Sequence, residues 1–368
     1  MSEQQGTGVV DLVNDLIGRA VAARASDMHF EPANEAVRVR FRVDGLLHDV
    51  ERLPPAIGPN IVARLKVLGG LLTYRTDVPQ EGAIARSRSG FPCDIRVATF
   101  PTVRGERVVL RLMAHAHEFL GLPDLGHDRQ LQQRLEHALT LPQGLLLVCG
   151  PAGSGKTTTL YALLDHVLKT RPGISILAVE DPVEIGLDGV TQVQIEPARG
   201  LTYPVALRSL LRQDPQVLMI GEVRDAESAQ IVVEAALTGH LLLTTMHSGS
   251  PPEAIVRLRE MGIPAYQLTS TLHGVLAQRL LRTVCPACTP AAPQRDCPQC
   301  LGTGFAGRTA IGQFVEMTPA LRQAVLDGAD VARLAAPELC PGSLREDADR
   351  LLQSARTTAE EVQQVLGG

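Results

Sequence analysis

Residues 145–164, LLLVCGPAGSGKTTTLYALL, constrain the fold of this chain more than any other stretch. The first four are apolar and predict a buried strand, and the residues from Lys156 onward predict the start of a helix. The loop between them matches the spacing G-x-x-x-x-G-K-[ST]. It consists of Gly150, Pro151, Ala152, Gly153, Ser154, Gly155, Lys156 and Thr157. A strand, a glycine-rich loop and a helix therefore follow one another in the order of a phosphate-binding loop.

Each residue type in this loop suits a nucleoside triphosphate. Glycines let consecutive backbone N–H groups close around a phosphate, and the helix N-terminus adds partial positive charge. Lys156 would reach the β- and γ-phosphates as a point charge, the Thr157 hydroxyl would bind Mg²⁺, and Thr158 completes the expected binding set. The alternative is a glycine-rich turn with an incidental lysine.

Composition limits the other classes of function. A chain of 368 residues with 45% hydrophobic content predicts a globular protein of two or three domains. The N-terminus has no basic and apolar leader, and no apolar run reaches membrane-spanning length, so we expect a cytoplasmic protein. A net charge of −5, no Trp and 3% aromatic residues disfavour a protein that coats nucleic acid.

Periodicity predicts an α/β fold in several parts. Residues 1–112 predict a small α+β domain, with helices over 9–23 and 59–68 and a hairpin over 37–53. Two extended runs, 93–100 and 106–113, follow, and residues 113–129 lack periodicity and predict a linker.

Residues 130–282 predict a P-loop domain with a mostly parallel sheet and helices on both faces. The expected strands after the P-loop are 174–179, 217–220 and 241–245, and the expected helices are 130–141, 204–213, 226–238, 252–261 and 266–282. A cysteine knuckle over 283–310 and a helical region over 311–368 complete the predicted order.

Carboxylates follow two of these strands, at the sheet edge where ligands bind. Glu180, Asp181 and Glu184 end the first, where they could hold Mg²⁺ or orient water; the alternative is a solvated acidic turn. Gly221 and Glu222 end the second, with glycine where a Walker B element usually has its metal-holding aspartate. Glu222 is predicted to be the general base that accepts a proton from water, with helix capping as its alternative.

Histidines begin and end the next strand. His247 stands at the carboxyl end, where an imidazole facing the γ-phosphate could report its presence through a loop movement. For His240, at the start of the strand, packing and sensing stay open.

Several arginines have the chemistry to contact phosphate. Arg96 and Arg111 lie outside the P-loop domain, and a guanidinium supplied from another domain or subunit stabilises transition-state charge. The alternative is a solvated strand face. Arg208, Arg212 and Arg224 flank the strand before Glu222 and could face a neighbouring subunit's nucleotide or serve as surface arginines.

Four of the seven cysteines form two C-x-x-C pairs. Cys285, Cys288, Cys297 and Cys300 make the thiolate set of a structural Zn²⁺ site, with a redox pair or disulfides as alternatives. Cys93, Cys149 and Cys340 are predicted to be ordinary small apolar residues.

Taken in order, these motifs resemble the type II secretion and type IV pilus assembly ATPases, a family of secretion ATPases with a RecA-like P-loop domain. The resemblance spans about residues 26–316. It rests on residues 26–32 (SDMHFEP), the P-loop, residues 180–184, residues 211–215 with 221–225, residues 240–247 and residues 285–308.

The resemblance implies a homo-hexamer that hydrolyses MgATP to drive assembly of a pseudopilus or pilus, with Arg96 and Arg111 as arginine fingers. It also implies peripheral association with an inner-membrane platform protein. Only 25 residues precede Ser26, so the further docking domain of many members is not expected. The tetracysteine knuckle favours assembly or secretion over retraction.

Two rival hypotheses remain. One is a DNA-uptake or DNA-translocating motor that uses Arg38, Arg40 and Arg42 as a phosphate track, and the other is a scaffold that binds ATP without turnover.

Overall fold

The computed structural model describes residues 3–91, 93–113, 121–294, 297 and 299–367. It divides into two compact units, one of residues 1–118 with 285–306 and one of residues 119–284 with 307–368. Residues 114–120 of the predicted linker lie outside the described residues. The division of the sequence into five parts stays a prediction.

The first unit contains a six-stranded antiparallel sheet in the order β3-β2-β1-β6-β5-β4. The strands are β1 (Asp27–Pro32), β2 (Val37–Val43), β3 (Leu46–Leu53), β4 (Gln80–Ile84), β5 (Ile95–Thr102) and β6 (Gly105–Leu112). The helices are α1 (Glu3–Ala22), α2 (Gly58–Leu68) and the short α3 (Arg86–Ser89). Apolar side chains of the strands pack with α1 and α2 into one core, which contains Ile17, Phe30, Phe41 and Leu65.

The second unit contains a seven-stranded sheet in the order β13-β12-β7-β11-β10-β8-β9, in which the pairs from β12 to β9 are parallel. The strands are β7 (Gly144–Cys149), β8 (Ile176–Glu180), β9 (Thr191–Gln194), β10 (Val217–Ile220), β11 (Leu241–Met246), β12 (Leu272–Val284) and β13 (Phe305–Glu316). Leu147 and Val148 of β7 belong to different apolar clusters because successive strand residues point to opposite faces.

Ten helices are described in this unit. They are α4 (Arg129–Thr140), α5 (Lys156–Thr170), α6 (Tyr203–Leu210), α7 (Ala226–Leu237), α8 (Pro251–Glu260), α9 (Ala265–Thr271), α10 (Pro319–Leu326), α11 (Val331–Leu334), α12 (Leu344–Gln353) and α13 (Ala359–Leu366). The predicted α/β class is confirmed. Among the described residues, helices long and apolar enough to cross a membrane are absent.

The predicted long helix over 266–282 is wrong. Helix α9 ends at Thr271, and the chain continues as β12, beside the P-loop strand β7. A strand buried on both faces carries apolar residues in succession, so its sequence lacks the alternation that identifies a strand. The region after the cysteines is also not helical throughout, because β13 precedes the C-terminal helices.

Candidate functional site

The loop between β7 and α5 has the backbone of an anion-binding loop. Gly153 and Gly155 have φ angles of 74° and 84°, in the left-handed region that glycine adopts without a Cβ clash. Helix α5 begins directly after them, at Lys156. The first N–H groups of a helix have no partner within the helix, so the start of α5 can donate to a phosphate.

Lys156 is held close to this loop. Its Nζ donates to the carbonyl oxygens of Gly150 and Pro151, at 2.9 and 2.8 Å. Burial lowers the pKa of Lys156, and the nearby carboxylate of Glu222 opposes that shift. An ammonium that rests on loop carbonyls is positioned to exchange them for phosphate oxygens.

The turn that carries Glu222 is fixed from the neighbouring strand. Thr245 Oγ1 donates to the carbonyl of Gly221 at 2.7 Å, and the N–H of Val223 donates to the carbonyl of Thr245 at 2.9 Å. Because β10 and β11 are parallel neighbours, these bonds join two strand ends at the same sheet edge.

The Glu222 carboxylate has a contact on each oxygen. Arg224 Nε donates to Oε1 at 2.6 Å, and His247 Nε2 lies 3.2 Å from Oε2. Arg224 Nη1 also lies 3.4 Å from Asp181 Oδ2. The predicted general base, the predicted sensor and the acidic turn after β8 therefore form one cluster.

Glu180 is buried, and both of its carboxylate oxygens accept hydrogen bonds from the protein. The Tyr161 hydroxyl of α5 donates to Oε2, and Gln192 Nε2 donates to Oε1 at 2.8 Å. Burial raises the pKa of Glu180. The N–H of Glu184 lies 3.4 Å from the Tyr161 hydroxyl, so Tyr161 contacts both ends of the acidic turn. A catalytic or metal-holding role for Glu180 and Glu184 stays a prediction.

A cavity of about 380 Å³ brings most of the predicted site residues together. Its lining includes Ala152, Gly153, Gly155, Lys156, Thr157, Thr158, Glu180, Glu184, Glu222 and His247. The cavity also contacts Tyr203 and Arg308, which the sequence analysis did not single out. Its size and its mixture of cationic, hydroxyl and carboxylate groups suit the phosphate end of a nucleotide.

Three residues that were predicted as candidate phosphate sensors or phosphate contacts do not line this cavity. His240 lies at the opposite end of β11 from His247, with Nδ1 3.0 Å from the carbonyl oxygen of Ala235. Arg208 pairs with Glu227 at 2.7 Å, and Arg212 donates to the carbonyl of Arg208 at 2.8 Å. These contacts match the packing and surface alternatives, whereas Arg224 contacts the predicted catalytic carboxylate.

Arg96 and Arg111 belong to the first unit and are direct cross-strand partners on β5 and β6. Residues opposite each other in an antiparallel pair share a face, so the two arginines project from the same side of the sheet. Arg111 Nε donates to Asp27 Oδ1 at 3.1 Å, yet the Arg111 side chain is 66% exposed.

The four knuckle cysteines bring their sulfurs together. All four Sγ atoms lie within 4.8 Å of one another, with Sγ distances of 3.8 Å between Cys285 and Cys297 and 3.3 Å between Cys288 and Cys300. Tetrahedral Zn–S bonds of about 2.3 Å hold sulfurs about 3.8 Å apart, so the set is compatible with structural zinc. None of the seven cysteines, all of which the structure describes, is joined in a disulfide, and Cys93, Cys149 and Cys340 are buried, as small apolar residues commonly are.

Sequence reasoning missed two buried side chains beside the P-loop, Tyr161 and Gln278. Tyr161 lies in a motif that was identified, but its contact with Glu180 joins two distant parts of the sequence. Gln278 bonds to Thr159 and Ser154, and the mistaken helix over 266–282 hid its position beside β7.

The family model described as type II/IV secretion system protein matches residues 2–364. Type II secretion system protein HxcR of Pseudomonas aeruginosa is 41% identical over 371 residues, covering 99% of this chain and 79% of the relative. Type II secretion system ATPase E of Vibrio cholerae is 36% identical over 387 residues, covering 99% of this chain and 76% of the relative. Type IV pilus assembly ATPase PilB of Myxococcus xanthus is 40% identical over 381 residues, covering 96% and 67%.

Two solved structures share the fold at lower identity. The pilus retraction motor PilT with bound ADP has a TM-score of 0.67 and 22% identity, with 95% of each chain covered. The ATPase DotB of Legionella pneumophila has a TM-score of 0.71 and 19% identity, with 96% of this chain and 94% of DotB covered.

Proposed function

Since the chain belongs to the family of type II/IV secretion system proteins, we propose that it is a cytoplasmic, hexameric motor at the inner membrane. The chain is an ATPase. In our proposal, hydrolysis of MgATP drives assembly of a type II secretion pseudopilus or a type IV pilus. The observation that carries the proposal is that Glu222 and His247 line the same cavity as Lys156.

The residues that line the cavity have different roles in hydrolysis. The loop N–H groups and Lys156 bind the phosphates, and Thr157 would hold Mg²⁺, which neutralises charge that develops on the phosphate oxygens. As a water oxygen bonds to the γ-phosphorus and the bond to the ADP oxygen breaks, Glu222 accepts the water's proton. His247 and Arg224 orient the Glu222 carboxylate, and the turn after β8 supplies further negative charge.

The Glu222→Gln protein tests this assignment. We expect it to bind ATP with wild-type affinity and to lose hydrolysis, because the amide has the shape of the carboxylate and cannot accept the proton at neutral pH. Glu227→Gln is the matched control, since Glu227 is an exposed acid that pairs with Arg208. If the Glu222→Gln protein turned over ATP at the wild-type rate, the general-base assignment would be wrong.

Arg96 and Arg111 support the hexameric part of the proposal. Guanidiniums on one face of a sheet, with the Arg111 side chain 66% exposed, suit a phosphate that arrives from outside that sheet. We assign them as arginine fingers at nucleotide bound in the assembled hexamer. A native mass measurement with and without nucleotide tests the assembly, and six copies are expected.

The remaining partners follow from the same family. We propose that the four knuckle thiolates bind structural Zn²⁺. We also propose that the motor acts on an inner-membrane platform protein of a pilus or secretion system. Direct binding to nucleic acid is not expected from a net charge of −5, and two arginines of the alternative phosphate track have acidic partners. Arg38 contacts Asp49 at 2.9 Å, and Arg40 contacts Glu31 at 2.6 Å.

A further inference from the structure

The P-loop rests against one buried amide, that of Gln278 on β12. Gln278 is 1% exposed. Its Nε2 donates to the carbonyl oxygen of Ser154 at 2.8 Å, and its Oε1 accepts from Thr159 Oγ1 at 2.7 Å. A carbonyl oxygen only accepts, so the amide nitrogen must face Ser154. One side chain thus joins the phosphate-binding loop to the helix that follows it.

Two glycines of the motif allow the loop to approach β12 closely. A Cβ at Gly150 would lie 2.6 Å from the main-chain carbonyl oxygen of Gln278, and a Cβ at Gly155 would lie 2.9 Å from its side-chain Nε2. Both distances are too short for a side-chain carbon. The loop therefore needs glycine at these positions to pack on β12, in addition to the freedom that glycine gives its backbone.

We propose that Gln278 is a positioning residue that sets the conformation of the P-loop for nucleotide binding. The Ser154 carbonyl lies within the loop whose N–H groups must converge on the phosphates. If the amide is removed, the Ser154 carbonyl loses the N–H of Gln278 as its hydrogen-bond donor, and the loop must rotate for the carbonyl to reach another donor. The rotation turns the neighbouring N–H groups away from the phosphates. The inference rests on the proposed function, because it needs ATP to bind at this loop.

Gln278→Met tests the inference, since methionine keeps the length of the side chain and removes both hydrogen-bonding groups. We expect ATP to bind about tenfold more weakly or worse, with KM raised more than kcat is lowered. Thr159→Val removes the other bond and leaves the Ser154 contact, so its affinity should stay within about threefold of wild type. Thr244→Val is the control for loss of a buried bond elsewhere, because Thr244 Oγ1 donates to Ile220 O.

The measurements are the Kd for ATP and the thermal midpoint without nucleotide, on the full chain. A purely structural role predicts that Gln278→Met and Thr244→Val change affinity in parallel with stability, and that outcome overturns the inference. Wild-type affinity in Gln278→Met also overturns it. If Gln278→Met does not fold, Gln278→Asn, which withdraws the same amide by one methylene, decides on the same criteria. Failure of the wild-type chain to bind ATP would instead reject the proposed function.

Discussion

Nε2 of His247 lies 3.2 Å from Oε2 of Glu222, although the two residues follow different strands. Strands β10 and β11 are parallel neighbours, so their carboxyl ends present these side chains at one edge of the sheet. A histidine in this position contacts the carboxylate that we propose as the general base. A movement of the loop after β11 would therefore alter a contact of the proposed general base.

The first prediction concerns this contact. We expect His247→Ala to lower kcat about tenfold to a hundredfold while ATP affinity stays near wild type, because the Glu222 carboxylate loses an orienting contact. His247→Gln should keep more activity, since its amide group can contact Glu222 in place of the imidazole. His240→Ala is the control at the other end of β11. Steady-state kinetics and ATP binding measure the effects, and a wild-type kcat in His247→Ala would contradict the assignment.

The second prediction concerns the Tyr161 hydroxyl. Tyr161→Phe leaves the buried Glu180 carboxylate with Gln192 as its remaining described side-chain donor. We expect the free energy of unfolding to fall by about 1–3 kcal/mol. We also expect a lower kcat, because the acidic turn loses its contact with α5. Tyr266→Phe, at a side chain that is 65% exposed, should change neither quantity. Equal stability of Tyr161→Phe and wild type in chemical denaturation would count against this role.

The third prediction is a pH dependence of stability. Burial raises the pKa of Glu180 in the folded chain above its value in the unfolded chain, so protonation favours the folded state. This contribution is complete below the unfolded value, about 4.3, and is lost as the pH rises through the folded value. Wild type should therefore lose stability relative to Glu180→Gln between about pH 4 and neutrality. Urea unfolding of both proteins across this range measures the difference, since their other carboxylates cancel. A constant difference would show that Glu180 titrates normally.

The sequence was sufficient for the P-loop and the strand ends, because their chemistry is local. Residues 145–164 contain the strand, loop and helix start in one stretch, and Glu222 and His247 each lie within two residues of the end of a predicted strand. Strand β12 was not predictable in this way, since burial on both faces removes its alternation. The two hydrogen bonds of Gln278 reach residues that are 119 and 124 positions away in the sequence. The bond of Tyr161 reaches a residue 19 positions away. Such contacts depend on which strands become neighbours, and periodicity carries no information about that.

The fourth prediction separates the knuckle thiols from a buried one. Burial raises the pKa of Cys149 to about 12, so it should stay a thiol and react only on unfolding. We expect about one zinc per chain by elemental analysis. A chelator should release the zinc and expose four further reactive thiols to a colorimetric thiol reagent. Cys149→Ala should leave both counts unchanged. Thiol counts that were identical before and after chelation would argue against the zinc site.

The fifth prediction follows from the pairing of Arg96 with Arg111 across β5 and β6. Like charges directly opposite each other cost about 0.2–1 kcal/mol, so Arg96→Ala should leave the free energy of unfolding unchanged or raise it by that amount. The same substitution should lower kcat of the assembled enzyme at least a hundredfold, because arginine fingers contribute about 10³ to 10⁵. Arg104→Ala, at the turn between the same two strands, is the control and should leave kcat near wild type. If both results are found, Arg96 lowers the stability of its own sheet and is needed for turnover. Its guanidinium would then act on a charge that comes from outside that sheet. A single-copy preparation that carried both Arg96→Ala and Arg111→Ala and still split ATP at the wild-type rate would remove the basis for a hexameric motor.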